Sequence, residues 1–283
     1  MTTTNFNKRQ MLKYVGNFSQ VFGIKEYALT SGKAKGVKAF DVKTGSGLEF
    51  TVLADRCLDI SGLSFKGTNC SYISKTGIVA PEYYEENGVG FLRSFTAGFL
   101  TTCGLRNVGS PCEKDGEPFS MHGRIANTPG EEVSATTEWV DDVPVLTING
   151  KMREARVFGE NLVLGRKITC KYGENKITIE NTVENLGFRK EALMLLFHFN
   201  MTKFAIRSFA VKFEKATLTT SKPEQKSIEI PFNEDVISFD NNRTDGNMTN
   251  GLSFPAELIP AKVTSEDICF NMVVMDQCTG HLL

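Results

Sequence analysis

Short apolar-alternating runs, each soon cut off by Gly, Asn or Asp, recur from Val21 almost to the end of this 283-residue chain. A half-buried strand hides every second side chain whereas a helix hides a stripe of period 3.6, so such runs restrict the fold to layered strands. Lys176 to Glu184 is the clearest case, with Ile177, Ile179 and Val183 on one face and Thr178, Glu180 and Thr182 on the other. Leu48 to Leu53 reads as a strand, and Leu58, Ile60 and Leu63 alternate through a second. Val145 to Ile148 precedes Asn149-Gly150, a dipeptide that predicts a tight hairpin turn. Leu162 to Tyr172 stops at Gly173, and Ala192 to Phe199 is apolar on both faces, as in a central strand covered from both sides. Later runs are Ala210 to Phe213, Ser227 to Ile230 and Ile268 to Met275. Helical signals are few: a short helix over Asn7 to Val15, and one turn over Pro81 to Glu86 with proline first. The expected fold is all-β, a large antiparallel β-sandwich. With no internal repeat and no clear linker, residues 1–283 read as a single domain, with Asp240 to Gly251 as an exposed rim loop.

Charge narrows the function. The 32 basic and 33 acidic side chains leave a net charge of −1, and no basic block offers a nucleic-acid surface. No apolar run is long enough for a transmembrane helix. The polar start MTTTNFNKRQ lacks the core of a signal peptide, so a cytoplasmic location is expected. Seven cysteines, an odd number without a CxxC pair, suggest neither a disulfide framework nor a thiolate zinc site.

Phe91 to Asn127 (FLRSFTAGFLTTCGLRNVGSPCEKDGEPFSMHGRIAN) crowds Arg, Thr, Cys, Asn, His and Gly together as nowhere else. Short and forked polar side chains suit a ligand better than a solvated surface. His122 lies beside Gly123 and Arg124, where it is a turn residue or a ligand group. His198 shares a strand face with Leu196 and Asn200, among apolar neighbours that would move its pKa. A histidine there is either catalytic or a satisfied core residue. Arg93, Asn107 and Arg124 are candidate hydroxyl-binding groups or structural salt bridges, and Asp55-Arg56 is a strand-end ion pair or a substrate contact. Thr101, Thr102 and Cys103 are expected to shape a pocket floor. His281 has no assigned role, and the spacing of His122 and His198 matches no short metal motif.

The runs GFLTTCGLRNVG and MHGRIANTPG, ADRCLDI upstream, and RKITC and LMLLFHFN downstream occur in an order that resembles the aldose 1-epimerase (galactose mutarotase-like) superfamily. The resemblance implies a large antiparallel supersandwich and anomer interconversion of a free sugar or sugar derivative by acid–base ring opening. It further implies that His198 corresponds to the general acid and His122 to a group touching the sugar near its ring oxygen. Arg93, Asn107, Arg124, Asp55 and Arg56 would then bind substrate. Anomer exchange requires one proton taken from the anomeric hydroxyl and one given to the ring oxygen, with no metal or organic cofactor. The implied partner is a small carbohydrate, and the chain is expected to be a monomer or homodimer.

The resemblance thins after Met201. Mutarotases place a glutamate base on a strand near the C-terminus, whereas here MTKFAIRSFA follows LLFHFN and no matching glutamate motif appears. Asp276 and Glu266 are weak substitutes, and a chain cut short at its C-terminus is the other explanation. A carbohydrate-binding protein without catalysis therefore stays open, as does, on fold analogy, a sugar isomerase or lyase.

Overall fold

The computed structural model describes residues 7–200 and, beyond them, six strand segments between 208 and 264. A five-stranded meander opens the fold: β1 (Gly23–Ala28), β2 (Lys38–Lys43), β3 (Leu48–Leu53), β4 (Asp59–Phe65) and β5 (Thr68–Asn69). It is followed by β6 (Leu100–Leu105), the small hairpin β7 (Cys112–Lys114) and β8 (Glu117–Phe119), then β9 (Gly130–Val140), β10 (Val143–Ala155), β11 (Asn161–Lys171), β12 (Thr178–Asn185) and β13 (Glu191–Phe199). The six later segments are β14 (Ser208–Val211), β15 (Ala216–Thr220), β16 (Ile228–Ile230), β17 (Ile237–Asp240), β18 (Ala256–Leu258) and β19 (Ala261–Thr264). A seven-stranded sheet runs β16-β15-β19-β12-β11-β10-β9, and β13 lies between β18 and β6 in a smaller sheet. Neighbouring strands are antiparallel throughout, as the alternation predicts. Among the described residues no helix is long and apolar enough to cross a membrane.

The core sits where these sheets face one another. Phe40, Val42, Phe50 and Val52 from the meander pack with Leu146, Ile148, Leu162, Leu164 and Ile168 from the large sheet and with Leu195 and Phe197 from β13. Every second residue of β10 is buried, from Pro144 to Glu154. The alternation of β12 comes out as expected, with Asn181, Val183 and Asn185 turned inward. On β13, Leu195 to His198 are all buried, the mark of a strand covered on both faces.

Three local expectations change. Asn149-Gly150 is not a turn: β10 passes straight through it with a register shift against β9. Gly150 is needed for packing, because a Cβ there would stand 2.9 Å from Leu58 Cδ1. The turn joins β9 to β10 at Asp141-Asp142, whose φ values of 48° and 62° are those of a two-residue hairpin loop. Aspartate tolerates that left-handed region through its short polar side chain. At the N-terminus the helix is shorter than expected: α1 (Lys8–Met11), held by an Asn7–Gln10 capping box. Pro81–Tyr83 forms a 3-10 turn. The expected run 268–275 and the loop beyond Asp240 lie outside the described residues.

Candidate functional site

The antiparallel register of β6 and β13 sets Thr101 opposite His198 and Cys103 opposite Leu196. Residues paired across a ladder share a sheet face. Cys103 and Leu196 join Phe91, Phe95 and Ala126 in a second, smaller apolar cluster, with Tyr72, Tyr84 and Met121 at its edge. His198 is 3% exposed, and its ring meets Phe95 edge-on at 5.3 Å. His122 packs against Phe91 at 5.2 Å, and the two imidazole centroids are 6.3 Å apart at 86°. The two histidines, 76 positions apart in the chain, therefore meet in one aromatic-walled place.

Backbone geometry delivers His122 there. Its φ is 57°, and the Gly123 that follows, at 68°, presses on the opposite strand so closely that a Cβ would lie 2.1 Å from the Gly104 carbonyl oxygen. Gly104 N–H donates to the His122 carbonyl, and Arg124 N–H donates to the Gly104 carbonyl. The Gly109 N–H donates to His122 Nδ1 at 3.3 Å, which leaves the proton of the neutral ring on Nε2. His198 Nδ1 is buried without a hydrogen-bond partner. Burial pushes the His122 pKa down to about 4. Burial, with a smaller contribution from His122, pushes that of His198 down to about 3, against a rise from Asn200. Both rings are neutral at ordinary pH, each with a nitrogen available as a proton acceptor or donor.

The other expected site residues part company. Arg93 is 71% exposed and pairs with Glu85 at 3.1 Å on the surface. Asp55 and Arg56 are not an ion pair, contrary to expectation. Asp55 accepts from the Lys38 N–H at 2.7 Å. Arg56 is buried and donates to the carbonyls of Ala126, Val79 and Ser94, tying three loops together. Desolvation explains the split: a buried guanidinium needs several fixed acceptors, and backbone carbonyls supply them. The same burial pulls the Arg56 pKa down to about 10. Asn107 spends both amide hydrogens on the Ser110 and Ser120 carbonyls. Thr101 donates to the Ala97 carbonyl. Thr102 turns to the opposite face of the sheet, where its hydroxyl donates to Asp59 at 2.6 Å and accepts from Arg166 at 2.7 Å. Burial holds the Cys103 thiol well above its ordinary pKa, which opposes the thiolate that a nucleophile needs.

Two groupings went unread in the sequence. One is the buried pair Arg166–Asp59 at 2.7 Å, completed by Thr102, Asn181 and the Cys57 carbonyl. The other is a cavity of about 330 Å³ walled by Arg106, Arg124, Arg156, Glu86, Glu117, Glu154 and Glu160 together with Asn107, Ser120 and Gly123. Strand phase was the available signal: Arg166 alternates with Leu162, Leu164 and Ile168, and Glu154 with Ile148 and Met152. Charges in phase with a core stripe are buried charges. Among the described residues no cluster of His, Cys, Asp or Glu is arranged to hold a metal ion.

Similarity to known proteins agrees with this architecture. A family described as a domain of unknown function (DUF4432) matches residues 34–226, and one described as an AziU2-like beta-sandwich domain matches 224–279. No curated protein matches the sequence. Among solved structures, a Klebsiella pneumoniae protein provisionally named an aldose 1-epimerase superposes with a TM-score of 0.62 at 22% identity, over 72% of this chain and 55% of that one. This chain thus spans little more than half the length of that relative. A galactose mutarotase-like protein from Clostridium acetobutylicum aligns at 13% identity and a TM-score of 0.48, over 74% of this chain and 65% of the other. Galactose 1-epimerase from Lactobacillus acidophilus aligns at 14% and 0.43, over 86% and 77%. At 22% identity the likeness to the Klebsiella pneumoniae protein speaks for fold alone. With one family matching well over half its length, and with the sandwich just described, the chain belongs to the DUF4432 family and has a galactose mutarotase-like fold.

Proposed function

We propose that this protein is an aldose 1-epimerase-like enzyme that interconverts the anomers of a free sugar or sugar derivative. The observation that carries the reading is the meeting of His122 and His198, 6.3 Å apart, among aromatic walls in a mutarotase-like fold. Ring opening removes the proton of the anomeric hydroxyl and protonates the ring oxygen. A neutral, buried imidazole with a vacant nitrogen can accept, so His198 Nδ1 takes the proton of the anomeric hydroxyl, becoming a transient imidazolium, and returns it on reclosure. His122, with its hydrogen on Nε2, donates toward the ring oxygen. This assignment makes His198 the acceptor rather than the acid that the family resemblance implies, because the ring rests neutral and holds no imidazolium proton to give; burial keeps the imidazolium it forms transient.

Saturation-transfer NMR or polarimetry across aldoses and uronic acids tests the proposal. At least one sugar equilibrates faster than in buffer, and His198→Ala removes the acceleration by about 10²-fold or more. No acceleration for any sugar, or an unimpaired His198→Ala, would reject it.

The neutrality of both rings favours a second reading, a carbohydrate-binding protein without turnover. A pair of weak donors and acceptors orients hydroxyls without moving protons. Calorimetry showing sugar binding, lost in His122→Ala, together with no anomer exchange would establish that reading instead.

A further inference from the structure

The cavity beside Arg106 holds chemistry that the histidine pair does not use. Arg106 reaches into it from the end of β6 and is gripped by Glu117 through two parallel hydrogen bonds of 2.8 and 3.0 Å, and by Glu191 at 3.0 Å. Burial opposes its charge, but the hydrogen bond to Glu117 and the charges of Glu160 and Glu191 outweigh that and hold it firmly protonated. Arg156 contacts Glu117 at 3.1 Å and Glu160 at 3.3 Å, and Arg124 has one long contact, 3.5 Å, to Glu86. Fully ionised, Glu86, Glu117, Glu154 and Glu160 face Arg106, Arg124 and Arg156, with Glu191 adding a further acid on Arg106. Negative charge is in excess.

Hydrogen bonding inside the cavity is incomplete. Glu160 is 4% exposed, and its Oε2 accepts no hydrogen bond although guanidinium nitrogens of Arg106 and Arg156 lie 3.3 Å away. A buried carboxylate oxygen left without a donor costs free energy until something supplies one. Glu154, 6% exposed, faces the same space and accepts one N–H, from Leu105 at 3.3 Å. We propose that this cavity is a binding site, separate from the histidine pair, for a small hydroxylated primary amine taken up as its ammonium ion. An ammonium brings three donors, where Glu160 Oε2 accepts none and Glu154 only one, and a positive charge to offset the acidic excess. The half-exposed Arg124 fork has hydrogens to spare for a ligand hydroxyl. At about 330 Å³ the space is at the small end of ligand pockets. Nothing in this inference depends on the role of the histidines.

Proton linkage gives the test an independent readout. Burial raises the Glu154 pKa to about 7, against lowering by the Leu105 N–H, Arg106 and Arg124, with Glu160 raising it further. Tyr84 is a further titratable group near it, and Glu86, Glu117 and Arg156 line the same cavity. A cation entering beside Glu154 favours its ionised form, so binding at pH 7 expels a proton. Ethanolamine and glucosamine, with glucose and glucuronate as neutral and anionic comparisons, are titrated calorimetrically into the full chain in buffers of different protonation enthalpy. The amines bind about tenfold or more tightly than glucose, and Glu160→Gln weakens them by a similar factor. Proton release with ethanolamine disappears in Glu154→Gln, which also serves if Glu160→Gln does not fold. His198→Ala leaves amine affinity in place. Absence of amine binding, equal binding of glucose, loss on His198→Ala, or indifference to both glutamate substitutions would each overturn the proposal.

Discussion

Single buried side chains in this protein pull its pH dependence in opposite directions. His198 and His122 have folded pKa values of about 3 and about 4 against an ordinary 6.5, so the unfolded chain binds more protons between those limits. Stability is then complete above pH 6.5 and falls as the pH drops toward 4, by an amount on the order of a few kcal/mol per ring. Glu154 is the reverse: its folded pKa of about 7 exceeds the ordinary 4.5, so its contribution is full below 4.5 and lost as the pH rises through 7. Denaturant titrations from pH 4 to 8 check both signs, since His198→Ala flattens the acid side and Glu154→Gln the neutral side. Catalysis follows the same rings: with His198 as acceptor, kcat/KM is level from pH 8 to 5 and falls only as the ring protonates. A rate that climbs steadily on acidification would mean that an imidazolium acts instead. The Arg166–Asp59 pair makes a further prediction. Asp59→Ala leaves a guanidinium unpaired in the core and costs about 3–5 kcal/mol, measured by denaturant unfolding.

At the scale of strands and turns, close approach decides more than propensity does. Gly123→Ala would set a Cβ against the Gly104 carbonyl at a left-handed φ, so it should cost at least about 1–3 kcal/mol by thermal melting and displace His122. A variant that melts like the parent would show that the two segments are not locked. The strands themselves were legible because period-two alternation is a local property: β3, β11, β12 and β13 fall where Leu48, Leu162, Lys176 and Ala192 predict them. The turn at Asp141-Asp142 was hidden because Asn149-Gly150 carries the stronger dipeptide signal, and that pair stays extended in an unbroken ladder against Lys167 and Arg166 of β11, with Leu58 packed close to Gly150. Of the site, the two histidines could be picked out by residue type, and the fold brings them together. For Arg93 and Arg124 the salt-bridge alternative is the one the structure shows, whereas the carbonyls that Arg56 meets could not be read, since they lie on loops distant in sequence.

Across the whole molecule, the large sheet is assembled from widely separated parts of the chain. β19 lies between β15 and β12, with Val263 opposite both Val183 and Leu218. We propose on that ground that residues 1–283 act as one domain, and calorimetry should show a single cooperative transition. Two separated melts, with a boundary near residue 224, would divide the chain in two. Deleting residues 256–264 should expose the β12 edge and bring aggregation on gentle heating, detectable by light scattering. The same insertion bears on biosynthesis. A ribosome releases β9 to β12 long before β19 exists, so the nascent chain waits with an open sheet edge that only a later segment can close. Holding that edge unoccupied during translation becomes a task for chaperones, and the interval grows with every codon between 185 and 261.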